Sequence, residues 1–141
     1  GSDCAFFIQN KPVFAIEKGD IFKTLSLSLK NKFIVLINPN IHISTKEAYS
    51  GVKPQEAKID LHTFLTENSI ENWKDKVHND FEDSIFPNHP TIAELKNDLY
   101  NKGALYASMT GSGSTIFGIF DNEIDTSDFE KYMIFSSKIN I

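Results

Sequence analysis

Residues 109–117 read Met-Thr-Gly-Ser-Gly-Ser-Thr-Ile-Phe and overlap two apolar segments, 104–109 and 115–120. The stretch places two glycines, Gly111 and Gly113, two residues apart among hydroxyl side chains. Glycine lets the backbone pass close to a ligand, and successive N–H groups of such a loop can point at one anion. The apolar segments on either side predict two strands. The stretch is therefore either a glycine-softened hairpin turn or a backbone cradle for an anionic group.

The remaining sequence divides into strand-like and helix-like segments. Apolar and alternating patterns predict earlier strands at 13–16, 21–29 and 33–37, the last of them buried on both faces, and a final strand ending at 141. Capping residues and apolar spacing predict helices at 44–49, 69–83, 91–101 and 126–132. Residues 51–60 are polar and predict a surface excursion. Strands first, helices in the middle and a late hairpin predict the α+β class.

Composition narrows the class of protein. A chain of 141 residues with 40% hydrophobic and 23% charged residues is typical of one globular domain with its own core. The single cysteine, Cys4, allows no internal disulfide, and no apolar run approaches the ~18–20 residues of a membrane span. Without a signal peptide pattern either, we expect a cytoplasmic protein that has no membrane partner. Net charge is −5 and all 14 basic residues are lysines, which argues against a nucleic-acid partner.

Several stretches resemble one known family. The loop at 109–117 resembles the third motif of the GHMP small-molecule kinases, a Gly-Ser-Gly loop between strands near the C-terminus. Residues 1–7, Gly-Ser-Asp-Cys-Ala-Phe-Phe, resemble a segment of the diphosphocytidyl-methylerythritol branch that reads Gly, small, Asp, small, Pro, then aromatics. Ala5 stands where that branch has Pro. Residues 13–20 and 35–49 extend the resemblance, which runs from the first residue to about residue 120.

The resemblance implies roles for particular residues. It makes Asp3 the catalytic base and Tyr49 the aromatic that lies against the cytosine ring, with Thr45 beside it. It also makes the backbone of the loop face the substrate and the transferred phosphoryl group, through Gly111, Ser112, Gly113, Ser114 and Thr115. Each role has a plainer alternative. Asp3 could be a helix cap or a solvated charge that follows a Gly-Ser pair added for expression, Tyr49 could cover the core beside Ala48, and Thr45 could cap a helix.

The implied activity is that of a small-molecule kinase. The resemblance implies transfer of the ATP γ-phosphoryl group, with Mg²⁺, to the 2-hydroxyl of a diphosphocytidyl-methylerythritol, in isoprenoid synthesis by the methylerythritol phosphate pathway. It also implies that residues 1–141 form the family's C-terminal, ferredoxin-like domain, an antiparallel sheet with helices on one face. The ATP-binding N-terminal half is absent from this sequence, so we expect no activity from the chain alone. The uncovered sheet predicts an exposed apolar patch or self-association.

Two competing interpretations stay open at this point. The first is a non-catalytic ferredoxin-like module for binding or dimerisation, in which the glycine loop is only a hairpin. The second is another GHMP enzyme, such as homoserine or mevalonate kinase. Residues 79–82, Asn-Asp-Phe-Glu, also resemble a family stretch, but their acidic pair is most simply a solvated face and Phe81 a core residue. The four histidines are scattered without metal-ligand spacing, so we predict no metal site.

Overall fold

The structure, a computed structural model, describes residues 4–140, with the backbone alone at residues 4, 5 and 9. Its helices are α1 (Cys4–Gln9), α2 (Thr45–Ser50), α3 (Leu61–Glu67), α4 (Glu82–Ile85) and α5 (Pro90–Asn101). Its strands are β1 (Val13–Ile16), β2 (Ile21–Thr24), β3 (Phe33–Asn38), β4 (Tyr106–Met109), β5 (Ile116–Phe120) and β6 (Met133–Lys138). The described chain forms two compact units, one from residues before 29 together with 57–69, the other from 29–56 together with 70–140.

The first unit contains a short antiparallel hairpin and two short helices, α1 and α3. Strands β1 and β2 pair with Ile16 opposite Ile21, and Gly19, at φ +81°, donates from its N–H to Ile16 O to close the turn. The predicted strand 21–29 ends at Thr24, and residues 25–29 keep only its alternation of half-buried and exposed side chains. Helix α3 was not predicted from the sequence, although Asp60 caps it by accepting from Thr63 N.

The second unit is built on a four-stranded antiparallel sheet in the order β4-β5-β3-β6. The central strand β3 places Val35 opposite Gly118 of β5 and Ser136 of β6. Val35 and Ile37 are fully buried in the core, while the alternate residues of β3 are half-buried. The prediction of an α+β fold with an antiparallel sheet is confirmed. The prediction that β3 is buried on both faces is wrong, because the residues of one face are only half-buried.

Helix α5 supplies much of the core of this unit. Pro90 stands in its first turn, where a missing N–H costs no hydrogen bond, and Ile92, Leu95 and Leu99 are buried against the strands β4 and β5. The helix ends where Gly103 N donates to Tyr100 O. Both boundaries lie within one residue of the sequence prediction, because the capping residues and the apolar spacing agree.

Two predicted helices are wrong. Residues 69–83 form a 3-10 turn at Ile70–Asn72, an irregular segment and only then the short α4. The side chain of Asn79 accepts from Phe81 N, so it competes with the backbone for the bond that would continue a helix. Residues 126–132 reduce to a 3-10 turn at Ser127–Phe129, where Asp125 takes the N–H of Ser127. In both segments the apolar residues mark positions that pack against the protein, but the backbone there is not a regular helix.

None of the helices in the described residues combines the length and the apolar character needed to cross a membrane.

Candidate functional site

The glycine loop, residues 110–115, joins β4 to β5 as a tight, non-repetitive turn. Thr110 N donates to Thr115 O at 2.9 Å, and Gly113 N donates to Thr110 O at 3.0 Å. Gly111 and Gly113 have φ of +52° and +93°, backbone angles that side-chain-bearing residues rarely adopt. The predicted glycine loop between two strands is therefore present, and its backbone path favours glycine at both positions.

The side chains of two neighbours also come close to Gly113. A Cβ at this position would lie 2.8 Å from Met109 Sδ and 2.9 Å from Ile43 Cδ1, closer than real Cβ contacts. At Gly111 a Cβ would meet nothing within 4 Å. The loop is thus seated tightly on the protein at Gly113 and open to solvent at Gly111.

The hydroxyl residues of the loop are not equivalent. Ser114 is buried, and its Oγ donates to Ile41 O at 2.6 Å, so this side chain serves the fold. Ser112 and Thr115 are partly exposed. Among residues 4–140 no acceptor is found for the backbone N–H of Gly111, Ser112 or Ser114. These donors are what a cradle for an anionic group requires.

The side chain of Asn79 holds the start of the loop through hydrogen bonds. Its Nδ2 donates to Met109 O at 2.8 Å and to Gly111 O at 2.9 Å, while its Oδ1 accepts from Phe81 N at 3.0 Å. Both amide hydrogens of one side chain are therefore spent on carbonyls at the start of the loop. No pattern in the sequence marks Asn79 for this role.

Glu82 is buried, not solvated, which corrects the prediction for the acidic pair. It is 2% exposed, its Oε1 accepts from Met109 N at 2.8 Å and Ser108 Oγ at 3.0 Å, and its Oε2 accepts from Lys96 Nζ at 2.5 Å. Asp80 is exposed, as predicted. No local pattern marks Glu82 as buried, because its partners lie elsewhere in the chain; the likeness of 79–82 to a family stretch was the one signal.

Helix α2 presents Tyr49 to solvent. Ser44 is the N-cap, since its Oγ accepts from Glu47 N at 3.1 Å, so Thr45 is the first helical residue and its interpretation as the cap is wrong. Ala48 is buried, but Tyr49 is 64% exposed and touches Phe81 edge-on, with ring centroids 5.0 Å apart. The alternative that Tyr49 covers the core is therefore wrong as well, whereas Phe81 packs against the core as predicted.

The structure brings the loop and α2 close through shared neighbours. The segment that leads into α2 supplies Ile41 O to Ser114, and Ile43 lies under Gly113. The segment 79–82 reaches both regions, because Asn79 binds the loop and Phe81 contacts Tyr49. Asp3 lies outside the described residues, so its predicted role as the catalytic base stays a prediction.

Two ionisable groups near the loop, Tyr106 and Glu82, are buried and have hydrogen-bonding or charged partners. Burial raises the pKa of Tyr106 to about 12, so this hydroxyl stays protonated and donates to Val77 O at 3.2 Å. Lys96 of α5 balances the charge of Glu82. Within residues 4–140 no group of three or more His, Cys, Asp or Glu side chains could hold a metal ion.

The chain is similar to known proteins. The family model described as GHMP kinases C terminal matches residues 61–133. A relative from Bacteroides fragilis named 4-diphosphocytidyl-2-C-methyl-D-erythritol kinase is 45% identical over 141 residues, covering 99% of this chain and 51% of the relative. Relatives of the same name from Azobacteroides pseudotrichonymphae and Chlorobium limicola are 48% and 36% identical and cover 85% and 91% of this chain. The chain spans about half the length of the curated relatives it matches.

Solved structures support the fold. A crystal structure of 4-(cytidine 5'-diphospho)-2C-methyl-D-erythritol kinase matches with a TM-score of 0.70 at 24% identity, over 84% of this chain and 44% of that one. Homoserine kinase from Cytophaga hutchinsonii matches with a TM-score of 0.64 at 18% identity, over 91% of this chain and 48% of that one. From the family match, the sheet and the glycine loop together, the chain belongs to the GHMP kinase family, in the region of that family's C-terminal domain.

Proposed function

We propose that this chain is the C-terminal, substrate-binding part of a kinase that phosphorylates the 2-hydroxyl of 4-diphosphocytidyl-2-C-methyl-D-erythritol. The observation that carries the proposal is identity of 45% across nearly the whole chain to a protein named as that kinase. On this proposal residues 1–141 correspond to one C-terminal kinase region, and ATP is bound mainly by the other half of the enzyme. The proposal places the enzyme in isoprenoid precursor synthesis, in the cytoplasm.

In the proposed reaction the substrate's 2-oxygen forms a bond to the γ-phosphorus of ATP as the bond from that phosphorus to its bridging oxygen breaks. ADP leaves, and the hydroxyl proton passes to a carboxylate. Such transfers rely mainly on positioning and on stabilisation of spread negative charge. The glycine loop offers backbone N–H groups for that purpose at Gly111, Ser112 and Ser114, which no described acceptor occupies.

Tyr49 is the proposed platform for the cytosine ring. Its ring is mostly exposed, and its edge-on contact with Phe81 holds one side while the rest of the surface stays open. Stacking of a base on an aromatic side chain contributes roughly 1–3 kcal/mol. Thr45, one turn earlier on α2, has its hydroxyl free of the capping role that Ser44 fills, which supports a contact with the same ligand.

Asp3 is the proposed base, on the strength of its sequence context alone. ATP is implied by kinase chemistry, and Mg²⁺ would neutralise charge on the transferring phosphates. No residue of this chain is assigned to Mg²⁺, because the described residues offer no metal-binding group. We therefore derive no step through the metal.

We also propose that the uncovered side of the sheet associates with another protein surface. Met133 and Phe135 are 75% and 58% exposed on β6, which is an edge strand. An edge strand with exposed apolar side chains is a template for pairing. Self-association of the chain or cover by the remainder of the kinase would both hide it.

The test of the proposed function is turnover by the whole protein with ATP, Mg²⁺ and the diphosphocytidyl substrate, followed by mass spectrometry of the phosphorylated product. Turnover with homoserine or mevalonate instead would identify a different GHMP kinase, and no turnover with any of the three would favour a non-catalytic module. The isolated 141-residue chain is the matched control, and we expect it to give no turnover above a buffer blank.

The Asp3→Asn variant of the whole protein tests the chemistry. Asparagine keeps the shape and the capping ability of aspartate but cannot accept the proton. We expect kcat to fall by about 10²–10⁴-fold with little change in substrate affinity. Single-turnover rates and thermal melts decide the matter: a variant as stable as wild type that keeps more than about a tenth of its rate would remove Asp3 from the mechanism.

A further inference from the structure

We propose that Asn79 and Glu82 are positioning residues that set the direction of the donors in the glycine loop. This inference rests on the proposed function for its catalytic consequence, but its structural part stands on contacts within the second unit. Neither residue would touch the substrate. Both would act through the backbone of residues 109–112.

The first step concerns the peptide between Gly111 and Ser112. Gly111 O points at Asn79 Nδ2, which lies 2.9 Å away. In a trans peptide the C=O of one residue and the N–H of the next point in opposite directions. The N–H of Ser112 is therefore directed away from Asn79, and among the described residues it meets no acceptor. One amide side chain thus fixes the outward direction of a donor that the cradle needs.

The second step concerns Met109, the last residue of β4. Its C=O accepts from Asn79 Nδ2 at 2.8 Å, and its N–H donates to Glu82 Oε1 at 2.8 Å. Both backbone groups at the start of the loop are therefore held by one four-residue segment. A hairpin held only by strand pairing could tilt about its end. In this hairpin, the N–H and the C=O of Met109 are also hydrogen-bonded to the segment 79–82.

The third step concerns the ion pair that stabilises Glu82 in its buried position. Glu82 is buried, and a buried carboxylate is strongly unfavourable unless it is paired and hydrogen-bonded. Lys96 from α5 supplies the opposite charge, and Ser108 supplies a further donor. Glu82 therefore ties the loop to α5 as well as to β4.

Asn79 and Glu82 would play different parts. Asn79 supplies donors to loop carbonyls, so its loss would release the loop while leaving the core contacts in place. Glu82 sits inside the fold, so its loss would unbalance Lys96 and lower overall stability. A purely structural role for both residues predicts that loop motion and activity change only in step with stability.

The test uses the whole protein and the Asn79→Asp variant, which keeps the side-chain shape but removes both N–H donors. Hydrogen exchange is followed in peptides that cover 109–117 and, as an internal reference, 33–38. We expect exchange in 109–117 to become faster by about tenfold or more, because the loop opens locally, with the reference peptide unchanged. The control variant Asn72→Asp makes the same change at an exposed position and should leave both peptides as in wild type.

Kinetics on the same variants supply the second measurement, taken well below the lowest melting temperature. We expect Asn79→Asp to lower kcat by about tenfold or more with the KM for ATP within about twofold of wild type. Glu82→Gln can still accept from Met109 N and Ser108 Oγ, so its kcat should stay close to wild type. Its melting temperature should fall, because the half-buried charge of Lys96 loses its partner. If Asn79→Asp fails to fold, Asn79→Ala removes the donors without adding charge and takes its place.

The outcomes separate the two proposals. Unchanged exchange in 109–117 in a folded Asn79 variant overturns the inference. Faster exchange with an unchanged kcat overturns the catalytic consequence and shows that the loop does not need a fixed direction. If the wild-type protein itself has no turnover, the proposed function fails, and the exchange measurement still decides whether Asn79 holds the loop.

Discussion

The glycine loop and helix α2 carry the two proposed substrate contacts, and the protein builds them in opposite ways. The loop has no regular secondary structure, yet the side chain of Asn79 donates to Met109 O and Gly111 O, and Ser114 Oγ donates to Ile41 O. Helix α2 is regular and capped, yet its proposed contact residue, Tyr49, lies on the surface with one aromatic neighbour. Regular structure is therefore a poor guide to which of the two contacts is more firmly placed.

The difference follows from what each contact has to do. A cradle for a transferring phosphoryl group depends on the direction of N–H groups, and direction requires a backbone that is fixed from behind. An aromatic platform for a base needs area and access more than a fixed direction. Substitutions in the loop should thus affect folding and function together, whereas a substitution at Tyr49 should affect only the ligand.

The largest effect on stability is expected from Gly113→Ala, because Gly113 is the glycine of the loop with the closest side-chain neighbours. The added Cβ would approach Met109 Sδ and Ile43 Cδ1 at under 3 Å, and the φ of +93° disfavours any side chain. Together, the strained backbone and the overpacking should lower the free energy of unfolding by about 2–4 kcal/mol. Urea unfolding measures the loss.

The control for this substitution is Gly111→Ala in the same loop. It shares the positive φ but meets nothing within 4 Å, so it should cost only the backbone strain, about 1–2 kcal/mol. Equal losses at the two glycines would contradict the view that the loop is seated on Met109 and Ile43, and would reduce the contrast with α2.

A smaller effect, confined to binding, is expected from Tyr49→Ala. Loss of the ring should weaken binding of the cytidine substrate by roughly 1–3 kcal/mol, because one stacking contact is removed. Because Tyr49 is mostly exposed, the free energy of unfolding should stay within about 0.5 kcal/mol of wild type. Paired calorimetric titrations of the whole protein with the cytidine substrate and with ATP separate the two ligands.

Tyr49→Phe is the matched control, since it keeps the ring and should keep most of the affinity. Losses of similar size for the cytidine substrate and for ATP after Tyr49→Ala would indicate a folding defect instead of a lost platform. Tyr49 would then belong with the supporting residues, and the contrast between loop and helix would fail.

The same contrast explains how much the sequence could predict. The strands β1, β3, β4 and β5 and the helices α2 and α5 carry local signals, namely apolar runs, caps and terminal glycines, and each lies close to its predicted position. The glycine loop was found because glycine spacing is a local property. Whether the loop binds a phosphoryl group is not a local property, and it stays a prediction.

The residues that hold the loop could not be predicted, because their roles depend on long-range contacts. Nothing near Glu82 in the sequence says that Met109 N will be its partner, so the sequence pattern predicts a solvated carboxylate, like that of Asp80. Asn79 broke the predicted helix 69–83 for the same reason, since its side chain bonds backbone groups of the segment and of the loop at once. Helix α3 is different: Asp60 gave a local capping signal that the apolar pattern was too weak to support.

The smallest effects are expected at the start of α2, where two substitutions distinguish a residue that supports the helix from a residue that contacts the ligand. Ser44→Ala removes the side-chain oxygen that accepts from Glu47 N, and losing such a cap costs about 0.5–2 kcal/mol of stability. Thr45→Ala, one residue later, removes a hydroxyl that caps nothing, so its stability should stay within about 0.5 kcal/mol of wild type. Thermal melts measure both, and titration with the cytidine substrate follows on the same samples. If Thr45 contacts the ligand, its alanine variant alone should lose affinity at unchanged stability. If the Ser44 and Thr45 variants lose affinity only in proportion to lost stability, Thr45 has no direct contact, and Tyr49 remains the sole proposed contact from this helix.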